Sequence, residues 1–272
     1  MVPVEHDIAT FKELPDTPQT RAPAYRLAFA DEDFMRRDDL RGLRLQLELA
    51  KPELTLAEAG VASTVIFFGG ARIPAPGAPA RAKLEVARRS LEANAAYYDM
   101  ARRLAGLVSK ASLRMQEREL VIATGGGPGI MEAGNLGAEE VGARSIGLNI
   151  VLPNEEAPNP HVSPEYCFNF HYFAIRKMHF LMRAKAAVVF PGGFGTLDEL
   201  FELLTLIQTQ RMARIPVLLV GEAFWRRIMN LEALRDEGTI SPEDLELFEY
   251  VESAEAAWAV IRDAYDLPDE TL

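Results

Sequence analysis

Val188 to Glu202 reads VVFPGGFGTLDELFE, and its reading decides the fold. The apolar run Ala186 to Phe190 has the length and β-branched content of a buried strand, and it breaks at Pro191-Gly192-Gly193-Phe194-Gly195. Leu197, Leu200, Phe201, Leu204 and Ile207 then recur at three- and four-residue spacing, which predicts a helix beginning near Thr196 with one buried face. Glycines at 192, 193 and 195 allow a tight strand-to-helix turn and leave its N–H groups uncovered at a helix N-terminus, where the dipole favours an anion. The turn is a phosphate seat on this reading. The dipole alone gives an exposed anion about 0.3–1 kcal/mol, so converging N–H donors must supply the rest.

The same grammar recurs upstream. Glu119 to Thr124 is strand-like and runs into Gly125-Gly126-Gly127-Pro128-Gly129, followed by the helical start Ile130-Met131-Glu132-Ala133. Thr64 to Phe68 is a third strand-like run, followed by Gly69-Gly70-Ala71-Arg72. Strand–glycine–helix units suggest one ligand site at the carboxyl edge of a parallel sheet. Neither G-x-G-x-x-G nor G-x-x-x-x-G-K-[ST] occurs in these turns, which argues against a dinucleotide or P-loop site.

At 272 residues the chain is long enough to bury a large core, and its alternating strands and helices indicate one α/β, Rossmann-like, doubly wound and mostly parallel sheet with helices on both faces. The expected organisation is an N-terminal arm and covering helix over residues 1–60, then one nucleotide-binding domain over 61–272. Scattered prolines suggest that Met1 to Ala30 is an extended arm lying on the domain or partly disordered, and Asp31 to Lys51 places Phe34, Leu40, Leu43, Leu47 and, less regularly, Leu45 and Leu49 along a helix that either covers one edge of the core or serves an oligomer interface. Arg81 to Met115 reads as one helix, or two broken near Gly106. Leu152 to Pro164, with its prolines and asparagines, reads as a long loop bordering the site. Strands are also expected at Ser145–Val151, Tyr166–Tyr172, Pro216–Val220 and Phe248–Val251. Helices are expected at Ile130–Val141, Phe173–Arg183, Ala223–Arg235 and Ala254–Tyr265.

A net charge of −11, from 29 Lys+Arg against 40 Asp+Glu, opposes binding to nucleic acid while leaving room for a local pocket that holds one phosphate. Cys167 is the only cysteine, which excludes an intrachain disulfide and a cysteine-built zinc site and fits a reducing cytoplasm. No run approaches the roughly 18 apolar residues of a membrane span, and the first residues lack a signal-peptide pattern. His171 and His179 have no H-E-x-x-H context, so no metal is expected.

Gly125 to Glu132, Arg176-Lys177 and Pro191 to Glu199 resemble, in order and spacing, the Lonely Guy family, with P-G-G-x-G-T-x-x-E matched in full; that family has also carried the label lysine decarboxylase. The resemblance covers roughly Thr64 to Val251. It implies a Rossmann-like phosphoribohydrolase that cleaves the N-glycosidic bond of a purine nucleoside 5′-monophosphate. The substrate is AMP or an N6-modified AMP such as a cytokinin riboside monophosphate, and the products are free base and ribose 5-phosphate. It requires no cofactor, and it implies a homodimer or a larger homo-oligomer. Carried over by motif position, Arg176 and Glu199 are the catalytic pair, and Gly192, Gly193, Gly195 and Thr196 the phosphate turn.

The residues suit that chemistry independently of the family. Glycosidic cleavage develops positive charge on the sugar, which a carboxylate at Glu199 stabilises while orienting or deprotonating water. Arg176 forks onto phosphate or ribose oxygens, or holds Glu199 in place. Gly70, Gly126 and Gly127 are candidates for contacts to phosphate or ribose. Met131 reads equally as a nucleotide contact or as core, Glu132 as a ribose contact or not, and Lys177 as a phosphate ligand or a solvated neighbour of Arg176. Thr196-Leu197-Asp198-Glu199 also fits a helix capping box, with Glu199 satisfying backbone donors. Asp198, about 100° around the helix from Glu199, reads as a first-turn acid. Glu202 either raises the pKa of Glu199 or pairs with a cation. The competing functional reading is a noncatalytic AMP- or nucleotide-binding regulatory module. Pyridoxal-phosphate chemistry lacks a lysine in a Schiff-base context.

Overall fold

The computed structural model describes residues 14–153 and 157–268. The first 13 residues of the expected arm, and 154–156 of the Leu152–Pro164 loop, lie outside the described residues. Seven strands, β1 Thr64–Phe68, β2 Val121–Thr124, β3 Ser145–Ile150, β4 Cys167–Phe170, β5 Ala184–Val189, β6 Val217–Val220 and β7 Glu249–Val251, form one sheet. Every neighbouring pair is parallel, in the order β4-β3-β2-β1-β5-β6-β7. The fold is the Rossmann-like α/β sheet that the sequence predicts.

The helices, in chain order, are α1 Pro18–Arg21, α2 Glu32–Met35, α3 Arg41–Glu58, α4 Glu85–Ala93, α5 Ala95–Arg114, α6 Ile130–Glu139, α7 Phe173–Met182, α8 Phe194–Gln208, α9 Glu222–Ile228, α10 Leu231–Asp236 and α11 Ala254–Ala264. Parallel strands covered on both faces must be apolar on both faces. In β1, Val65 and Phe67 join one buried cluster with side chains of α5, α6 and α11, whereas Ile66 and Phe68 join a second with side chains of α7 and α8. Two layers of helix therefore sandwich the sheet.

The chain divides into two compact units between Glu48 and Leu49, inside α3 and ahead of the expected division at residue 60. Pro52, within α3, has no N–H for the carbonyl of Glu48 four residues back, so the helix loses a bond at the division. Leu56 belongs to the second unit's core beside Val61 and Ile66. In the first unit, the helix expected from Asp31 is split: α2 ends at Met35, a 3-10 turn spans Asp38–Leu40, and α3 follows. Leu43 and Leu47, on the stripe expected along this helix, are 41% and 50% exposed.

Two further boundaries differ. The break in the long helical stretch falls at Asn94, not near Gly106, because Gly106 lies where α5 packs closely on α6: a Cβ there would come 3.4 Å from the Gly137 carbonyl oxygen. Ala223–Arg235 forms two helices because Asn230 starts the second one, its Oδ1 accepting from Ala233 N–H at 3.1 Å.

Candidate active site

Strand order reverses between β1 and β5, and an open α/β sheet holds its ligands in the crevice at that switch point, beyond the carboxyl ends of the strands. Both strands end there in glycine turns, and backbone hydrogen bonds tie the turns together. Phe190 N–H donates to the Phe68 carbonyl at 2.8 Å, Gly70 N–H to the Pro191 carbonyl at 2.9 Å, and Ile130 N–H to the Gly70 carbonyl at 3.3 Å. A cavity of about 710 Å³ opens above them.

The three turns play different parts. After β5, α8 begins at Phe194 with Gly193 as its N-cap and no side-chain cap. Leu197 N–H makes the first intrahelical bond, to the Gly193 carbonyl at 3.0 Å, so the donors of Phe194, Gly195 and Thr196 are those a helix start leaves unmatched. Gly193 and Gly195 are exposed, and a Cβ on either would meet nothing within 4 Å. Gly192 has the opposite need, since a Cβ there would collide with the buried side chain of Thr196. This turn is open on its solvent side and tight on its protein side.

The turn after β2 is occupied from within. Its helix N-cap, Gly129, has φ +70°, and a Cβ there would lie 2.5 Å from the Gly70 carbonyl oxygen. Gly126 N–H donates to Thr124 Oγ1 at 3.0 Å. The Asn159 side chain donates to the carbonyls of Gly126 at 3.0 Å and Gly127 at 2.9 Å. The structure thus leaves Gly126 and Gly127 off the cavity wall, where their polar groups hold the sheet edge and the Asn159 loop together. Gly125 does line the cavity, and its missing side chain makes room for Arg176, whose Nη2 lies 2.6 Å from where a Cβ would be.

Arg176 on α7 donates through Nε to the Leu148 carbonyl at 2.7 Å and stacks over the Phe180 ring at 5.1 Å. Its Nη1 lies 3.8 Å from Glu199 Oε1, with both side chains largely buried. That separation attracts without making a hydrogen bond. Among the described residues Glu199 Oε2, also buried, has no hydrogen-bond partner. Burial pushes the Glu199 carboxyl up to about 7; Arg176 and Lys177 pull it down, and Glu202 and Asp198 add to the rise. The capping-box alternative fails on these facts, since Gly193 is the N-cap and Thr196 lies inside α8.

Of the sequence candidates, the structure gathers Gly70, Met131, Arg176, Gly192, Gly193, Gly195, Thr196 and Glu199 on one cavity wall. Glu132 and Lys177 are not on it. Glu132 accepts from the Tyr98 hydroxyl at 3.3 Å. Lys177 Nζ lies 3.0 Å from Asp198 and 2.9 Å from Glu202, so it serves the outer face of α8. Sequence reasoning passed over Leu91, Asn94, Phe173 and Phe224, which also line the cavity. No motif marks them, because they come from helices whose approach to the site is set by packing.

Residues 131–261 match the protein family described as "Possible lysine decarboxylase". No curated protein matches the chain. Among solved structures, the X-ray structure of TM1055, a structural-genomics target, is 20% identical, covering 74% of this chain and 99% of that one at a TM-score of 0.47. The molybdenum cofactor carrier protein of Chlamydomonas reinhardtii is 18% identical, covering 74% of this chain and 96% of its own at 0.44. The matched residues, 131–261, make up just under half of the chain and carry Arg176 and the Pro191–Glu199 turn.

Proposed function

We propose that the protein is an N-glycosidase that hydrolyses a purine nucleoside 5′-monophosphate, AMP or an N6-modified AMP, to free base and ribose 5-phosphate. The observation that carries the reading is Glu199: a buried carboxylate with an unpartnered oxygen, one turn beyond an uncapped glycine-rich helix start and facing a large cavity. The N–H donors of residues 194–196 take the phosphate. Glu199 lies four residues beyond Gly195, about 6 Å along the helix, which suits a sugar that follows its phosphate into the cavity.

As the C1′–N bond breaks, its electron pair leaves with the base and positive charge grows on the ribose. Ionised Glu199 stabilises that charge and draws a proton from the attacking water, whose oxygen bonds to C1′. That proton passes to the departing base. A carboxyl that titrates near neutrality is matched to such a transfer at neutral pH. Arg176, anchored at the Leu148 carbonyl, keeps Glu199 oriented and offers its remaining N–H groups to ligand oxygens.

The family description raises decarboxylation with pyridoxal phosphate, which needs a lysine to form the Schiff base. None of the described residues on the cavity wall is a lysine, and Lys177 is committed to Asp198 and Glu202. The residues present do not fit that cofactor.

Chromatography of base released from a panel of 5′-monophosphates and the corresponding nucleosides tests the proposal. Release from purine monophosphates and loss of release in Glu199→Gln supports it, whereas tight AMP binding without turnover supports the nucleotide-binding module instead. The resemblance also leads us to propose a homodimer or larger assembly, which sedimentation of the full chain tests.

A further inference from the structure

The cavity crosses the edge of the sheet. Arg176 and Glu199 reach it from α7 and α8, which pack against one face, whereas Leu91 and Asn94 reach it from the α4–α5 junction, and α5 packs against the other. Asn94 is the residue at which the long helix is interrupted, with φ −83° and ψ 0°. Its backbone N–H bonds back into α4, but its side chain neither caps a helix nor makes a hydrogen bond within the described residues. Helix-breaking Asn and Ser side chains ordinarily satisfy themselves on nearby backbone; this one is left with its donor and its acceptor both unused, on a cavity wall. Among the described residues it is also the only carboxamide on that wall, where the other polar side chains are Arg72, Arg176, Thr196, Asp198 and Glu199. Leu91, one turn earlier, and Phe224, at the start of α9, add apolar surface.

We infer that Asn94 is the base-reading residue of this site, accepting from the exocyclic amino group of an adenine-type base while donating to a neighbouring ring nitrogen. The inference rests on the nucleotide reading proposed above. A carboxamide presents one donor and one acceptor side by side, the complement of adenine's amino group and adjacent ring nitrogen. A purine with its edge on Asn94 and its phosphate on the α8 turn would use two groups that line the same cavity, with Leu91 and Phe224 as apolar surface. A site built on such a pair rejects a base lacking the amino group, because its own carbonyl is then left unpaired.

Calorimetry on the full chain separates the contributions of base and phosphate. Titrations with AMP, with purine riboside 5′-monophosphate, which lacks the amino group, and with ribose 5-phosphate are compared in Glu199→Gln protein, which holds AMP without consuming it, with Asn94 intact, as Asn94→Leu and as Asn94→Asp. The expected result is that both changes weaken AMP by about 10- to 100-fold and leave ribose 5-phosphate within about twofold, while Asn94→Leu abolishes the preference for AMP over the deamino analogue and Asn94→Asp, which keeps the acceptor for the amino group and loses the donor to the ring nitrogen, retains it. Unchanged AMP affinity, or equal weakening of AMP and ribose 5-phosphate, overturns the role of Asn94. Protein that binds none of the three overturns the nucleotide reading itself and this inference with it, whereas binding that follows the expected pattern without base release by the wild type upholds Asn94 and removes only the hydrolytic reading.

Discussion

Replacing Glu199 with glutamine is predicted to make the fold more stable in alkaline than in acidic solution relative to wild type. Burial with a distant counter-ion holds the carboxyl at about 7 against its ordinary 4.5. At low pH it is protonated in the folded and the unfolded chain alike. As pH rises, the unfolded chain releases the proton first, so the native state loses stability between 4.5 and about 7 and keeps that deficit above it. The difference corresponds to about 3 kcal/mol at roughly 1.4 kcal/mol per pH unit. Glutamine has the same shape and no proton to lose, so it removes the deficit. Urea unfolding of both proteins at about pH 4.5, 6 and 8 gives the comparison, and subtracting the two curves cancels the other carboxylates. The variant should gain about 3 kcal/mol on wild type across that range. A difference that stays flat with pH, within about 0.5 kcal/mol, would mean that Glu199 ionises as an exposed carboxylate does, and the argument from burial would be refuted.

Other outcomes follow from the same geometry. On the proposed mechanism, in which the ionised carboxylate is the working form, base release should rise with pH through about 7, and Glu199→Gln should lower the rate by about 10²–10⁴ and flatten the profile. Arg176→Met removes the cation that most opposes the rise at Glu199, so the inflection of any residual activity should move above that of wild type; an unmoved inflection would place the guanidinium outside Glu199's influence. Gly195→Ala adds a methyl into open space and should leave thermal stability near wild type while weakening ribose 5-phosphate, whereas Gly192→Ala, which collides with Thr196, should cost about 1–3 kcal/mol of stability in the same melting assay. Asn159→Ala removes the side-chain donor to the Gly127 carbonyl and one of the two donors to the Gly126 carbonyl, which keeps the backbone N–H of residue 159, and should destabilise the fold by about 1–3 kcal/mol in urea.

The sheet was legible because β1, β2 and β5 are short apolar runs ended by glycine, and no helix can be written through such a stop. The position of Glu199 was legible because motif spacing puts it a fixed distance beyond the glycine turn that follows β5. Its chemistry was not: the burial that raises its pKa and the 3.8 Å gap to Arg176 depend on how α7 lies against α8, which no local pattern records. Gly126 and Gly127 share the strand–glycine–helix pattern of the turn after β5, but nothing local records that Asn159, more than thirty residues later, donates to their carbonyls. The break at Asn230 went unread although asparagine supplies its own competing hydrogen bond, here to Ala233 N–H; Asn94 makes no such side-chain cap, and its break has no local signal of that kind. The described residues contain no helix long and apolar enough to cross a membrane.

Incubating the full chain with AMP and measuring free adenine and ribose 5-phosphate, beside Glu199→Gln at equal concentration, tests the central claim most directly. The account predicts equimolar adenine and ribose 5-phosphate from wild type, and adenine release lower by at least about 100-fold from the variant. Equal release from both proteins, or none from wild type that demonstrably binds AMP, would contradict it.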